Sequence, residues 1–165
     1  MLIVFSGLPG VGKTAIAREL ARTLGAVHLR IDSIEQVLHR AGCRIEGEGY
    51  DVAYAVAADN LRVGRTVIAD CVNPWPLTRA AWRSVAERAG VAAFDVEIVC
   101  SDAAEHRRRV ESREPDIAGH AVPSWPDVVG RDYHAWDRDP LVVDTAACEV
   151  GAAVDAIASR LRARG

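Results

Sequence analysis

The sequence predicts an α/β fold, a parallel sheet with helices on both faces. Three observations predict it. Short apolar, β-rich runs alternate with segments of helical period along the 165 residues. The glycine-rich stretch "GLPGVGKT", Gly7 to Thr14, stands between the first apolar run and the first helical pattern. Polar residues, Asp32, Asp70 and Ser101, close later strand-like runs. Sheets of this class bind ligands outside the carboxyl ends of their strands, and Gly7 reaches the same rim.

Each element has a local reason. "LIVFS", 2–6, reads as the first strand. Ile16, Leu20 and Leu24, with Ala17 and Ala21, follow at helical spacing, and Gly25 ends that helix as a C′ glycine. "AVHLRI", 26–31, is a second strand, and 32–42 a short helix with Asp32 or Ser33 as N-cap. Glycines make 43–49 a loop. Ala53, Ala57 and Leu61 mark a helix over 50–63. Residues 65–71 form the third strand, and 76–90 a helix with Pro76 near N1 and Gly90 at its stop. The fourth strand is 92–100 and the fifth, "LVVD", is 141–144. Between them, 102–139 is charged and rich in Pro, Gly and Trp. Val150, Val154, Ile157 and Leu161 mark the last helix.

Composition narrows the function. Half of the chain is hydrophobic, enough for a substantial core, and its length suits one domain. A net charge of −3 is not the footprint of a protein that coats nucleic acid, although a short oligonucleotide end stays open as a substrate. The four cysteines, 43, 71, 100 and 148, have neither CxxC spacing nor a zinc-like His/Cys cluster, and reduced packed thiols are expected. No stretch approaches the ~20 apolar residues of a membrane helix. The start has no basic n-region, so a first strand rather than a signal peptide, and a cytoplasmic protein, are expected.

Gly7, Leu8, Pro9, Gly10, Val11, Gly12, Lys13 and Thr14 complete the pattern G-x-x-x-x-G-K-[ST]. Backbone N–H groups turned inward around phosphate oxygens need φ values that glycine adopts cheaply. The following helix points its positive end at the anion. In this pattern the lysine reaches the β- and γ-phosphates and the threonine hydroxyl ligates Mg²⁺. A strand before and a helix after supply the context that the motif requires.

Two acids stand at the same rim. Asp70 ends an apolar strand, where a carboxylate calls for a cation; it is either a Mg²⁺ contact, direct or through water, or a helix-capping or turn residue. Asp32 either accepts the proton of an attacking hydroxyl, or orients it, or caps the helix after it. "EHRRRVESREPDIAG", 105–119, carries Arg109 and Arg113, four apart and so expected on one helix face. They suit a lid that spreads the charge of a transferring phosphoryl group, or else a solvated helix paired to Glu105, Glu111 and Glu114. Arg107 and Arg108 read as ordinary surface residues. Trp75 is placed either to wall an acceptor pocket or to staple a helix start, and Asn73 and Arg79 are candidate acceptor contacts. Trp82 reads as core.

The arrangement "GLPGVGKT…RID…VIADCVNP…EHRRRVESR…LVVDTA" resembles the small P-loop kinase-like ATPases, AAA-named but built like nucleoside-monophosphate kinases. Relatives of that group include the kinase domain of polynucleotide kinases, adenylylsulfate kinase, chloramphenicol phosphotransferase and zeta-toxin-type kinases. The similarity spans nearly the whole chain, and its most specific part is the phosphate loop. It implies a three-layer P-loop NTPase fold, with a five-stranded sheet ordered 2-3-1-4-5 and a helical lid over about 102–131 within a single domain, 1–165. It implies ATP and Mg²⁺, Asp32 as the acid that activates the acceptor hydroxyl, Arg109 and Arg113 as lid arginines, and adenine near Asp144 and Thr145. The chain departs from the shikimate-kinase pattern of acid-x-acid, having Asp32-Ser33-Ile34, and lacks a guanine-reading N-K-x-D stretch.

The expectation is therefore an ATP- and Mg²⁺-dependent phosphotransferase acting on a hydroxyl of a small-molecule acceptor, as a monomer or homodimer. The alternatives are a polynucleotide 5′-hydroxyl kinase and a nucleotide-binding regulatory ATPase without an acceptor.

Overall fold

The structure, a computed structural model, describes residues 1–119 and 121–163. Its elements run β1 (Leu2–Ser6), α1 (Lys13–Leu24), β2 (Val27–Arg30), α2 (Ile31–Arg40), α3 (Glu48–Arg62), β3 (Val67–Asp70), α4 (Pro76–Arg88), β4 (Ala93–Val99), α5 (Ala103–Glu111), α6 (Trp125–Val129), β5 (Leu141–Asp144) and α7 (Val150–Arg162). Among the described residues the sheet has five strands in the order β2-β3-β1-β4-β5. Every pairing is parallel.

Alternation along β1 divides the core. Ile3 and Phe5 pack with Ile16, Leu20, Ile157 and Leu161, from α1 and α7. Leu2 and Val4 pack on the other face with Ala53, Ala57, Trp82 and Val85, from α3 and α4. Successive strand side chains point to opposite faces, so one central strand serves both cores. Trp82, read as core from sequence, is fully buried.

Register sets the rim. Asp70 stands opposite Phe5 on one side and Arg30 on the other, and Asp144 stands opposite Val99. The chain therefore delivers Gly7, Asp32, Asp70 and Thr145 to one end of the sheet. The four cysteines are free.

Two local expectations are corrected. Helix α2 begins at Ile31 directly from β2, with Arg30 in the N-cap position, so Asp32 is a first-turn residue and not the cap. Helix α5 ends at Glu111 with Ser112 as its C-cap, so Arg113 lies beyond the helix that carries Arg109. Of the segment 102–131, His120 lies outside the described residues, as do residues 164 and 165 of the chain.

Candidate active site

The phosphate loop is built by close approach. Gly7 has φ +135°, and a Cβ there would lie 2.2 Å from the Ile98 carbonyl oxygen of β4. Gly10 has φ +85°, and its Cβ would lie 2.5 Å from a Val110 methyl of α5. Any side chain at either position would collide and be strained as well. Gly12, which has no side chain to offer, occupies the N-cap position of α1, so the first-turn N–H groups of that helix stay available to an anion. His106 of α5 donates from Nε2 to the Pro9 carbonyl at 2.8 Å, fixing the outward side of the loop.

Lys13 is buried, and its ammonium donates to the Leu8 carbonyl at 2.8 Å. Burial lowers its pKa, while the charges of Asp70 and Asp32 oppose the fall. Asp70 is 3 % exposed. Burial alone would raise its carboxyl, but the hydrogen bond with His28 Nε2, at 3.1 Å, the charge of Lys13 and a bond from Thr14 hold it below the ordinary value. The carboxylate is thus ionised beside the Thr14 hydroxyl.

Asp32, on the first turn of α2, and Arg113 line the same cavity of about 900 Å³ as Lys13, Thr14 and Asp70. Arg109 lines this cavity and a second one of about 690 Å³, and donates to the Thr145 hydroxyl at 2.8 Å and to the Thr145 carbonyl at 3.0 Å. The Thr145 hydroxyl donates to the Val11 carbonyl at 2.9 Å, so this turn is tied to the phosphate loop. Arg107 and Arg108 are surface residues paired to Glu111 and Glu105, as their spacing suggests.

Trp75 reaches the large cavity, half-exposed, with its indole N–H on Asp132 at 3.1 Å. Three other candidates are placed away from it. Arg79 is completely buried, donating to the carbonyls of Asn73, Pro74, His134 and Ala135 with its guanidinium 4.2 Å from the centre of the Trp136 ring. Asn73, with φ +49°, is also buried, its amide on the Ser6 hydroxyl. Neither faces the cavity; both hold the turn after β3. Asp144 spends its carboxylate on Ser101 and the Ala146 amide and lines neither cavity.

Residues not singled out from sequence complete the cavity: Glu35 on α2, Tyr50 and Tyr54 on α3, and Arg18 on α1. Asp32 and Glu35, three apart, and Tyr50 and Tyr54, four apart, carried a signal in their helical spacing. His28 had none, because its contact with Asp70 crosses strands.

The profile of the AAA domain family matches residues 2–124. The chain belongs to the AAA domain family. This AAA domain chain also resembles solved structures over nearly its full length. A sugar kinase from Janibacter sp. HTCC2649 is 17% identical with a TM-score of 0.70, covering 98% of this chain and 94% of that one. Kti12 from Chaetomium thermophilum, in complex with ADP-AlF3, is 22% identical with a TM-score of 0.70, covering 96% and 98%. The APS kinase CysC of Mycobacterium tuberculosis, in complex with AMPPNP and APS, is 20% identical with a TM-score of 0.64, covering 98% and 96%. At such identities the likeness establishes the P-loop kinase-like fold of this AAA domain chain, and its substrates have to be argued from its own residues. No curated protein matches the sequence at a significant level. Among the described residues, no helix is long and apolar enough to cross a membrane.

Proposed function

We propose that the protein is an ATP- and Mg²⁺-dependent phosphotransferase that moves the γ-phosphoryl group to a hydroxyl of a small-molecule acceptor. One observation carries this: Asp32 faces the same large cavity as Lys13, Thr14 and Asp70, and that cavity extends past them to Tyr50, Tyr54 and Trp75. A site built only to bind and hydrolyse a nucleotide needs no such extension.

In this proposal the loop amides and Lys13 hold the phosphates. Asp32 takes the hydroxyl proton as the acceptor oxygen bonds to phosphorus, and the bond from phosphorus to the bridging oxygen breaks with its electrons on ADP. Arg113 stands at the cavity to meet charge on the transferring group, and Arg109 acts from the side of Thr145, with the base in the second cavity. A Mg²⁺ site is supported by the ionised, buried Asp70 beside Thr14. Among the described residues no group of three or more His, Cys, Asp or Glu is placed to hold a metal ion by itself, and a Mg²⁺ that keeps most of its ligands as water and phosphate oxygen needs none. When bound, Mg²⁺ neutralises phosphate charge. The protein is taken to act in the cytoplasm as a single domain, 1–165, monomeric or homodimeric, with a lid over about 102–131.

The test is transfer from γ-labelled ATP to a panel of hydroxyl compounds, measured against background hydrolysis. Acceptor-dependent label in a new product, lost in Asp32→Asn, is the expected result. Hydrolysis at the same rate with and without every acceptor, and insensitive to Asp32→Asn, would point instead to a regulatory ATPase. A 5′-hydroxyl oligonucleotide in the panel reports the polynucleotide alternative.

A further inference from the structure

The far end of the large cavity has a chemistry of its own. Its acids come from α2, α3 and the loop between them: Asp32, Glu35, Glu46 and Asp51. Glu46 is already paired with Arg44 at 2.6 Å, and Asp32 lies 3.6 Å from Arg30. Arg18 and Arg113, lining the same cavity, are both engaged with Asp116, at 2.8 and 3.5 Å. Glu35 takes part in no hydrogen bond or ion pair among the described residues, although its side chain is half-buried; Arg131 is a more distant positive neighbour. Asp32 and Glu35, three apart on α2, share a helix face toward the cavity.

Glu35 is also accommodated by design of its neighbour. Gly49 sits in the first turn of α3, and a Cβ there would lie 2.3 Å from Glu35 Cγ and 2.9 Å from its Oε1. Glycine favours a helix less than alanine does. Here it leaves room for the Glu35 side chain to lie flat on α3 and keep its place at the cavity. The rings of Tyr50, Tyr54 and Trp75 line the same cavity. The Tyr50 hydroxyl accepts from the backbone N–H of Asn73 at 3.0 Å, the Tyr54 hydroxyl donates to the Thr78 carbonyl at 3.4 Å and the Trp75 N–H donates to Asp132, so these residues offer a ligand chiefly their rings.

We infer that the acceptor is an amine-bearing alcohol, whose protonated nitrogen is held by Glu35 among the rings of Tyr50, Tyr54 and Trp75 while its hydroxyl meets Asp32. The inference rests on the phosphotransferase proposal above and adds the class of substrate. An anionic acceptor would enter against two carboxylates. A neutral polyol would bury the Glu35 charge with only the more distant Arg131 to compensate it, which is costly. An ammonium compensates the charge and is attracted by aromatic faces. Burial and the neighbouring Asp32 already raise the Glu35 carboxyl above its ordinary value, with Arg131 opposing, which is the condition an incoming cation relieves.

The test separates binding from turnover. Calorimetry in the presence of AMPPNP and Mg²⁺ compares glucosamine, phenylalaninol and kanamycin with their N-acetylated forms and with gluconate. At least one amine is expected to bind about tenfold or more tightly than its N-acetylated form, and Glu35→Gln to remove that preference. Gly49→Ala, which favours the helix but displaces Glu35, is expected to weaken amine binding without lowering Tm. If gluconate or the N-acetylated compounds bind as well as or better than the amines, or if no Glu35-dependent preference appears, the inference falls. Glu35-dependent amine binding with no transfer of label upholds the ligand class and overturns the phosphotransferase proposal. Transfer confined to neutral or anionic acceptors does the reverse.

Discussion

Asp116 accepts a hydrogen bond from each terminal nitrogen of Arg30, at 2.6 and 3.0 Å, and a third from Arg18 at 2.8 Å. This ties the stretch after α5 to the end of β2, next to Asp32. The Arg30 side chain is 4 % exposed, whereas that of Asp116 is 36 % exposed, so part of the pair is screened by water. Asp116→Asn is expected to cost about 1–2 kcal/mol in denaturant unfolding, much of it the weaker pairing of the buried Arg30, which keeps Asp32 at 3.6 Å. Hydrogen exchange over 112–119 should quicken; equal exchange in both proteins would mean the pair does not order that stretch.

The same pair sets a pH dependence. The bonds from Arg30, with burial opposing, hold the Asp116 carboxyl well below its ordinary value of 3.8. A depressed folded pKa stabilises above the unfolded value and loses that effect as pH falls through the folded one. The stability gap between the natural protein and Asp116→Asn should be flat from about pH 8 to pH 5 and shrink below about pH 4. A gap that grows on acidification would contradict the pairing.

Asp32→Asn removes the proposed proton acceptor but keeps its shape. Transfer to acceptor should fall about 10²–10⁴-fold, with ATP affinity within about twofold of the parent. Single-turnover label transfer and nucleotide titration measure the two separately. Loss of ATP affinity in proportion to the loss of transfer would assign Asp32 to nucleotide binding instead.

Gly10→Ala places a methyl group 2.5 Å from the Val110 side chain at a φ of +85°. Overpacking and left-handed strain together should cost about 1–3 kcal/mol. Because α5 must shift, His106 should lose its bond to Pro9, and nucleotide affinity should fall further than stability alone explains. Calorimetric ADP binding well below the unfolding transition checks this.

Arg79→Met tests the revised place of that residue. The guanidinium's bonds to four carbonyls are lost, the Pro74 carbonyl keeping the His134 N–H at 2.9 Å, so a loss of about 3 kcal/mol or more is expected. The folded fraction should keep the parent KM for any acceptor found. A KM change without a stability change would return Arg79 to the acceptor pocket.

The phosphate loop was readable in the sequence because three glycines, a lysine and a threonine answer to local backbone geometry. The rim position of Asp70 follows from its place at the end of an apolar strand, and the strand order from the family resemblance alone. Side-chain direction was not readable. Nothing in the helical register of Arg79 tells that its guanidinium turns inward onto carbonyls of 134 and 135, far along the chain. The four-residue spacing places Arg113 on the helix of Arg109, yet α5 stops at Glu111, ahead of Pro115 in the irregular stretch beyond. Asp144 looked free at a strand end, but Ser101 from the neighbouring strand's exit consumes it. The Arg79 and Asp144 misses are contacts between residues distant in sequence, which local pattern does not encode, and the Arg113 miss is a helix end, the least certain feature of a periodic pattern.

Helix α5 is anchored at two points, through His106 to Pro9 and through Arg109 to Thr145. A post fixed in this way does not swing. In the proposed reaction, an opening that leaves α5 in place would hinge near Ser112 and part Asp116 from Arg30 and Arg18, so the phosphate loop stays assembled while the acceptor comes and goes. The proposed transfer is then expected to be ordered, with ATP arriving first and ADP departing last, an order that product-inhibition kinetics read directly.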